Sequence, residues 1–141
     1  MFDELLLNKA CAEQKALVDA KGFKKENVPT YLMLITSELG EALEADRKDR
    51  HADLAAFEEK MPVVFVAPGC MPMMDMPEED AKRVFKEQFE KHIKDTFEDE
   101  IADTFLRLMH LCGEYNIDIE RHIQLKAYYN TLRPVRHGKA Y

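Results

Sequence analysis

Two pairs of acidic residues with the same spacing occur in two stretches of helical, largely apolar character. Glu38 and Glu41 lie in the segment SELGEALEA, and Glu100 and Asp103 lie in the segment DEIADTFLRL. Residues three apart share one face of a helix, so each pair directs two carboxylates to the same side. The apolar residues that border the pairs are Ile35, Leu39, Ala42, Leu43, Ile101, Phe105, Leu108 and Met109. We therefore predict that both helices pack inward close to their acids, and that the four carboxylates meet near one core.

Four carboxylates near one core repel one another. Two carboxylates about 5 Å apart repel by roughly 3 kcal/mol at an effective dielectric constant of about 20. The group therefore needs either raised pKa values or a bound cation, and hard divalent ions prefer oxygen ligands of this kind. A single acidic pair is a weak signal, because exposed helices are rich in glutamate. Two pairs bordered by apolar residues favour a metal site, with Mg²⁺ as the expected ion and Mn²⁺ as the alternative.

Composition predicts the fold class. The chain has 141 residues, of which 5 are glycine and 6 are proline, while hydrophobic residues make up 46%. This length corresponds to one domain with a substantial core, and low contents of glycine and proline favour helices over sheet. We therefore predict a single all-α domain spanning residues 1–141, a bundle of about four to five helices.

Caps, chain breakers and periodicity predict the order of the segments. Helices are expected at about residues 2–20, 27–49, 77–93, 96–115 and 118–132, and the third and fourth could be one continuous helix. Residues 62–77 hold four of the six prolines, so the methionine- and proline-rich stretch of residues 61–76 predicts an irregular loop. A β-branched run at residues 63–66 could add a short extended segment to it. The whole stretch of about residues 50–95 is expected to be an insertion between the two acidic motifs.

Charge and hydropathy argue against several kinds of partner. The net charge of −7 is unlike that of proteins that bind nucleic acid polymers, which are usually basic. No stretch approaches the roughly 20 apolar residues that span a bilayer, and the N-terminus lacks the basic start and apolar run of a signal peptide. We therefore expect a cytoplasmic protein with no membrane partner. Cys11, Cys70 and Cys112 are far apart and form no CxxC, which argues against a disulfide framework and a cysteine zinc site.

Common metal and nucleotide motifs are missing from the sequence. A di-iron bundle site needs a glutamate three residues before a histidine. The residues at these positions are Lys48, Phe89, Arg107, Ile119 and Pro134. There is also no EF-hand loop, GxxxxGK[ST], GxGxxG or HExxH motif. A nucleotide would therefore have to be held by a metal and by side chains.

The C-terminal segment offers candidates for binding an anion. Residues 121–141 contain five Lys and Arg residues and no Asp or Glu. Lys126 and Asn130 are four apart on one helix face, and Arg133, Arg136 and Lys139 follow at or beyond its end. Arg presents a planar fork to phosphate oxygens, and Lys presents a point charge. These side chains could hold a polyphosphate opposite a carboxylate-bound cation, although a solvated basic terminus would have the same composition.

Three segments together resemble the MazG-like branch of the all-α nucleoside triphosphate pyrophosphohydrolases. They are LMLITSELGEALEADRKD at residues 32–49, FEDEIADTFLRLMHLCGEYNIDIERHI at residues 97–123 and KAYYNTLRPVRHGKAY at residues 126–141. The ordered set ExxE, ExxD, K-x-x-x-N-x-x-R-P and HGK is more specific than any one of these motifs. The resemblance implies a helical bundle that assembles as a dimer or tetramer and binds Mg²⁺. It also implies hydrolysis of a nucleoside triphosphate to the monophosphate and pyrophosphate, commonly to cleanse the nucleotide pool.

The resemblance also implies roles for individual residues. Glu38, Glu41, Glu100 and Asp103 would be the metal-binding and catalytic carboxylates, and Lys126, Asn130, Arg133 and Lys139 would bind the substrate. Two alternatives stay open. The chain could be a non-catalytic helical module that senses nucleotide or binds a protein partner. It could also be a phosphohydrolase that acts on some other polyphosphorylated small molecule.

Overall fold

The computed structural model describes residues 6–66, 69–73 and 75–134. Its elements are α1 (Leu6–Ala20), α2 (Val28–Arg47), α3 (Leu54–Lys60), β1 (Val63–Val66), β2 (Gly69–Pro72), α4 (Glu78–His92), α5 (Phe97–Glu114) and α6 (Ile119–Thr131). The predicted all-α class is confirmed. The predicted count of four to five helices is wrong, because six lie in the described ranges and the 7-residue α3 is too short to give a clear periodic pattern. No helix in these ranges is both long and apolar enough to cross a bilayer.

Helix α2 carries the first acidic pair and begins where its sequence predicts. The side chain of Asn27 accepts a hydrogen bond from the backbone N–H of Thr30 at 2.9 Å. Pro29 stands in the first turn, where a missing N–H breaks no helical hydrogen bond. The helix ends at Arg47, and Asp49 leaves it with a positive φ of 52°. Glu38 therefore lies in the middle of a helix, on rigid backbone.

Helix α5 carries the second acidic pair, and both α1 and α2 pack against it. Tyr31 and Ile35 of α2 form a buried cluster with Leu111 of α5. On the other side of α5, Gly113 allows a close approach of α1, since a Cβ there would lie 2.4 Å from the carbonyl oxygen of Cys11. The packing of α2 on α5 brings their acidic pairs towards one shared space.

Helices α4 and α5 are separate, which answers a question that the sequence leaves open. The break falls at residues 93–96, where Asp95 adopts a left-handed φ of 60°. Thr96 caps α5, because its hydroxyl accepts from the backbone N–H of Asp99 at 3.3 Å and donates to the carbonyl of Ile93 at 2.6 Å. This turn places two further acids beside the start of α5.

Strands β1 and β2 form a two-stranded antiparallel hairpin. Val63 lies opposite Pro72, and Val66 lies opposite Gly69. The expected extended segment at residues 63–66 is therefore present. The expected irregular loop is wrong at this point, because the β-branched run of β1 pairs its backbone with the strand that follows it.

The α3–α4 segment, residues 54–92, has a hydrophobic cluster of its own. Phe57, Met61 and Ala81 are buried at its centre. Partly buried side chains pack around them: Val63, Met76, Val84, Phe85, Phe89 and Ile93. This cluster shares no residue with the cluster between α2 and α5. Whether the segment is an insertion relative to other proteins stays a prediction.

The apolar residues that border the acidic pairs divide into a buried and an exposed set. Ile35 and Ala42 are buried, whereas Leu39, Leu43 and Phe105 expose 48%, 52% and 61% of their surface. Both helices therefore pack inward close to their acids, as predicted, but with only part of the apolar residues that border the pairs. A helix in a small bundle buries one stripe against its neighbours. Helices α2 and α5 carry a second apolar stripe that the described part of the chain leaves uncovered.

Helix α6 is held against α1 at its first turn. Asp118 caps α6 and accepts a hydrogen bond from the Asn8 side chain at 2.8 Å. The buried Glu120 accepts from the backbone N–H of Asn8 at 3.2 Å. The rest of α6 is exposed, so this helix is anchored to α1 at one end.

Candidate metal centre

Three of the four predicted carboxylates converge. Glu38 of α2 and Glu100 and Asp103 of α5 each offer a carboxylate oxygen, and these oxygens lie within 4.8 Å of one another. Glu38 and Glu100 are only 7% and 6% exposed, whereas Asp103 is open to solvent. Such a set presents oxygen ligands on rigid helices, which suits a hard divalent cation. The central expectation from the acidic pairs therefore agrees with this geometry.

Glu41 borders the same cavity but stands outside that group of three. The cavity has a volume of about 460 Å³ and is lined by Glu38, Glu41, Glu100 and Asp103. Glu41 is exposed, and it lies one helical turn after Glu38. Its carboxylate is thus close to the three converging oxygens without being one of them.

Two acids of this cavity, Asp95 and Asp99, were not predicted as site residues. Their carboxylates form a second close group with Glu100, again with oxygens within 4.8 Å of one another. The backbone N–H of Asp95 donates to the Asp99 carboxylate at 2.9 Å. The sequence holds a signal for Asp99, which directly precedes Glu100. It holds none for Asp95, because only the left-handed turn before α5 brings this residue into the cavity.

The electrostatics of Glu100 show how crowded the site is. Burial, together with the nearby charges of Glu41, Glu38 and Asp99, raises the pKa of Glu100 to about 7. Each charged neighbour behind this shift is itself an acid. In the described part of the chain, Glu100 forms no ion pair. A side chain that is 94% buried therefore points a carboxylate at the cavity without a positive partner.

The pKa values of the neighbouring Asp99 and Asp103 are raised as well. Burial raises the pKa of Asp99, and the charges of Asp95 and Glu38 add to the effect. Burial likewise raises the pKa of Asp103, with Asp99 as the next cause. Arg107 and Lys94 oppose these shifts only in part. The cavity thus disfavours the ionised acids, and a bound cation would remove that penalty.

Arg107 is a further site residue that the sequence does not reveal. Its Nε donates a hydrogen bond to Oε1 of Glu38 at 2.6 Å and so links α5 to α2 near the acids. Arg107 stands four residues after Asp103 and therefore on the same side of α5. It positions one oxygen of Glu38 and partly balances the charge of the buried carboxylate.

The predicted substrate-binding residues do not line this cavity. Lys126 and Asn130 lie on the exposed part of α6, and Arg133 follows that helix. The charged ends of Lys126 and Arg133 lie 4.9 and 5.9 Å from the ring centre of Tyr129. Lys139, with the neighbouring Arg136 and His137, lies outside the described residues. Their role in substrate binding stays a prediction.

Helix α4 forms one wall of the cavity. It contributes Phe85, Lys86, Phe89 and Glu90, and Lys94 follows from the turn after it. The sequence predicts α4 as a helix but does not show that it lines a site. The cavity is therefore lined by carboxylates, by the two aromatic rings of α4 and by two ammonium groups.

Comparison with models of protein families, with curated proteins and with solved structures finds no match for this chain. Together the fold and the cavity define an all-α protein with a carboxylate cluster suited to a divalent cation.

Proposed function

We propose that this protein is a Mg²⁺-dependent nucleoside triphosphate pyrophosphohydrolase with a MazG-like helical bundle. The observation that carries the proposal is the convergence of Glu38, Glu100 and Asp103 in a cavity of about 460 Å³, where Glu100 is buried and has no positive partner among the described residues. The cavity is large enough for part of a nucleotide. The products would be a nucleoside monophosphate and pyrophosphate, and the role would be cleansing of the nucleotide pool.

The residues present fit Mg²⁺, or Mn²⁺ in its place. All the donors are carboxylate oxygens, and Mg²⁺ is commonly held by one or two carboxylates together with substrate phosphates. Glu38, Glu100 and Asp103 would hold the ion, with Asp99 beside them. When bound, the ion would neutralise phosphate charge and polarise the phosphorus–oxygen bond that breaks.

Glu41 is the best placed acceptor for the proton of the attacking water. It borders the cavity and stands outside the group of three converging oxygens. The water oxygen would form a bond to phosphorus, and the anhydride bond between the α- and β-phosphates would break. Pyrophosphate would leave with the bonding electron pair, and the water proton would pass to the Glu41 carboxylate.

A substrate panel tests the proposal directly. The protein is incubated with canonical and modified nucleoside triphosphates and Mg²⁺, and the products are separated. Release of the monophosphate and pyrophosphate is expected for at least one member, with turnover abolished in Glu38→Gln and Asp103→Asn. Glu44→Gln is the matched control, since Glu44 is on the same helix but pairs with Lys48 at 3.0 Å outside the cavity.

Three outcomes would contradict the proposal. Turnover that survives Glu38→Gln and Asp103→Asn would exclude these carboxylates from the reaction. Release of orthophosphate in place of pyrophosphate would indicate a different phosphohydrolase. Stabilisation of the fold by nucleotide without any product would indicate a nucleotide-sensing module.

The uncovered apolar stripe of α2 and α5 supports assembly into a homo-oligomer. Leu39, Leu43 and Phe105 are all about half exposed or more in the single chain, and exposed patches of this kind mark interfaces. A second copy could also bring Lys126 and Asn130 to the cavity that they do not reach within their own chain. Light scattering after size exclusion would show a dimer or tetramer.

Mixing two inactive variants tests whether the cavity is shared between copies. Glu38→Gln and Lys126→Ala chains are refolded together and assayed. If each site uses residues from two chains of a dimer, random mixing restores about a quarter of the wild-type activity. No restoration would mean that each chain carries a complete site.

A further inference from the structure

The wall formed by α4 has a composition that the carboxylates do not explain. Phe85 and Phe89 line the cavity together with Lys86 and Lys94. A metal site needs oxygen ligands, and aromatic rings contribute nothing to such a site. These side chains therefore face the part of the cavity where something other than the cation would lie.

The two rings are held in a fixed arrangement. Phe85 and Phe89 are stacked, with ring centres 6.2 Å apart and planes inclined by 12°. Phe57 meets Phe85 edge to face at 5.3 Å from the opposite side. Both rings are partly buried against the cluster around Phe57 and Met61. One side of the pair is thus fixed by packing, and its other side borders the cavity.

The wall carries two ammonium groups beside the carboxylates of the cavity. Lys86 forms an ion pair with Glu90 at 4.0 Å. Lys94 lines the cavity and forms no ion pair with any described residue. An ammonium group in the same cavity as a carboxylate-held cation would be well placed for phosphate oxygens.

We propose that the α4 wall is the element that selects the substrate, with the nucleobase stacked on Phe85 and Phe89 and the phosphate chain beside Lys94. This inference rests on the proposed function, and it adds which residues would hold the base and which would hold the phosphates. Stacking of a base on an aromatic side chain is favourable for every base, because each base has a π-face. A bare polyphosphate chain would use Lys94 and the cation but gain nothing from the rings.

Binding measurements distinguish the role of the two phenylalanine rings from the role of Lys94. The probes are α,β-methylene analogues of the four nucleoside triphosphates, which cannot be cleaved at that bond, and inorganic tripolyphosphate, each with Mg²⁺. Phe89→Leu and Phe85→Leu should weaken binding of the analogues about tenfold and leave tripolyphosphate binding within about twofold. Lys94→Gln should weaken both kinds of probe to a similar degree. Base protons of the bound analogue should shift upfield in NMR spectra of the wild type and lose that shift in Phe89→Leu.

Phe65→Leu is the matched control, since it makes the same change at a ring on β1 that is 75% exposed and does not line the cavity. It should leave both affinities within about twofold of the wild type, with circular dichroism confirming that all variants are folded. The inference is overturned if Phe65→Leu weakens analogue binding as much as Phe89→Leu does. Equal affinity of the wild type and both cavity variants for the analogues would also overturn it.

The outcome for stacking and the outcome for hydrolysis can be told apart. Turnover of nucleoside triphosphates that is insensitive to both phenylalanine variants would leave the proposed function standing and remove the stacking role. Binding of the analogues that depends on Phe85 and Phe89, without turnover of any nucleoside triphosphate, would support the stacking role and contradict the proposed hydrolysis.

Discussion

Arg107 Nε donates a hydrogen bond to Oε1 of Glu38 at 2.6 Å, so a guanidinium group of α5 pairs with a buried carboxylate of α2. The contact joins α5 to α2 beside the cavity. Glu100, which is equally buried, has no such partner in the described residues. The two buried glutamates therefore differ in their partners. Glu38 is paired within the protein, whereas Glu100 is available to a metal ion.

Replacing Arg107 should make the protein more dependent on metal. In Arg107→Gln the buried Glu38 loses its positive partner, and we expect the free energy of unfolding without metal to fall by about 1 kcal/mol, because the Arg side chain is partly exposed. The increase in melting temperature on adding MgCl₂ should exceed that of the wild type. Arg83→Gln, which removes an exposed arginine that pairs with Glu87 on α4, is the control. A magnesium-induced increase equal to that of the wild type would contradict the assignment of Glu38 as a ligand.

The raised pKa of Glu100 predicts a fall in stability with rising pH when no metal is present. The pKa rises from 4.5 to about 7 on folding, so the folded state holds more protons than the unfolded state between these values. Stability then decreases as pH rises through this window. Denaturant unfolding in EDTA between about pH 4.5 and 8 should show the decrease, and Glu100→Gln should reduce it.

Magnesium should weaken the same pH dependence, because the ion stabilises the ionised form of Glu100. Unfolding repeated at saturating MgCl₂ measures this effect. If the two curves run parallel in the presence and absence of the ion, Glu100 is not a ligand. NaCl at the same ionic strength as the MgCl₂ controls for screening by salt.

Glu41 and Glu44 offer a matched comparison for catalysis. Both are exposed glutamates of α2, but Glu41 lines the cavity and Glu44 pairs with Lys48 at 3.0 Å. Loss of a general base typically costs about 100-fold or more in rate. We therefore expect Glu41→Gln to lower kcat by about that factor with a small change in KM, and Glu44→Gln to stay within about twofold. A large change in KM alone would assign Glu41 to substrate binding.

Alanine substitutions at two glycines should change the free energy of unfolding in opposite directions. A Cβ at Gly113 would lie 2.4 Å from the Cys11 carbonyl oxygen, whereas a Cβ at Gly40 meets nothing within 4 Å. Gly113→Ala should lower the free energy of unfolding by about 1–3 kcal/mol, because α1 must move away from α5. Gly40→Ala should raise it by about 0.5–1 kcal/mol through helix propensity. Urea unfolding of both variants measures the difference, and equal signs would contradict the close packing of α1 on α5.

The parts of the fold that depend on local chemistry could be predicted. Asn27 and Pro29 define the start of α2, and Thr96 defines the start of α5, because caps act within one turn of the chain. The spacing of the acidic pairs placed each pair on one helix face, and three of the four carboxylates expected to meet, those of Glu38, Glu100 and Asp103, do converge. Cys112 is buried, as its place on an apolar helix face predicts.

The remaining features depend on contacts between distant segments, which spacing alone does not contain. Asp95 enters the cavity through a left-handed turn, and Arg107 is recognisable as a site residue only once α2 and α5 are packed. The sequence also does not show that Leu39 and Phe105 are exposed, because a periodic pattern identifies an apolar helix face but not the element that covers it. For the same reason, the sequence does not show that α4 lines the cavity.

The separation of the two hydrophobic clusters has a consequence for how this protein can change over evolutionary time. The carboxylates sit on α2 and α5, around one cluster, and the aromatic wall belongs to the other. A substitution at Phe85 or Phe89 alters the packing of the α3–α4 segment and leaves the helix pair that holds the acids untouched. Mutations in one half of the molecule can thus change the aromatic wall of the cavity while the carboxylates in the other half keep their places.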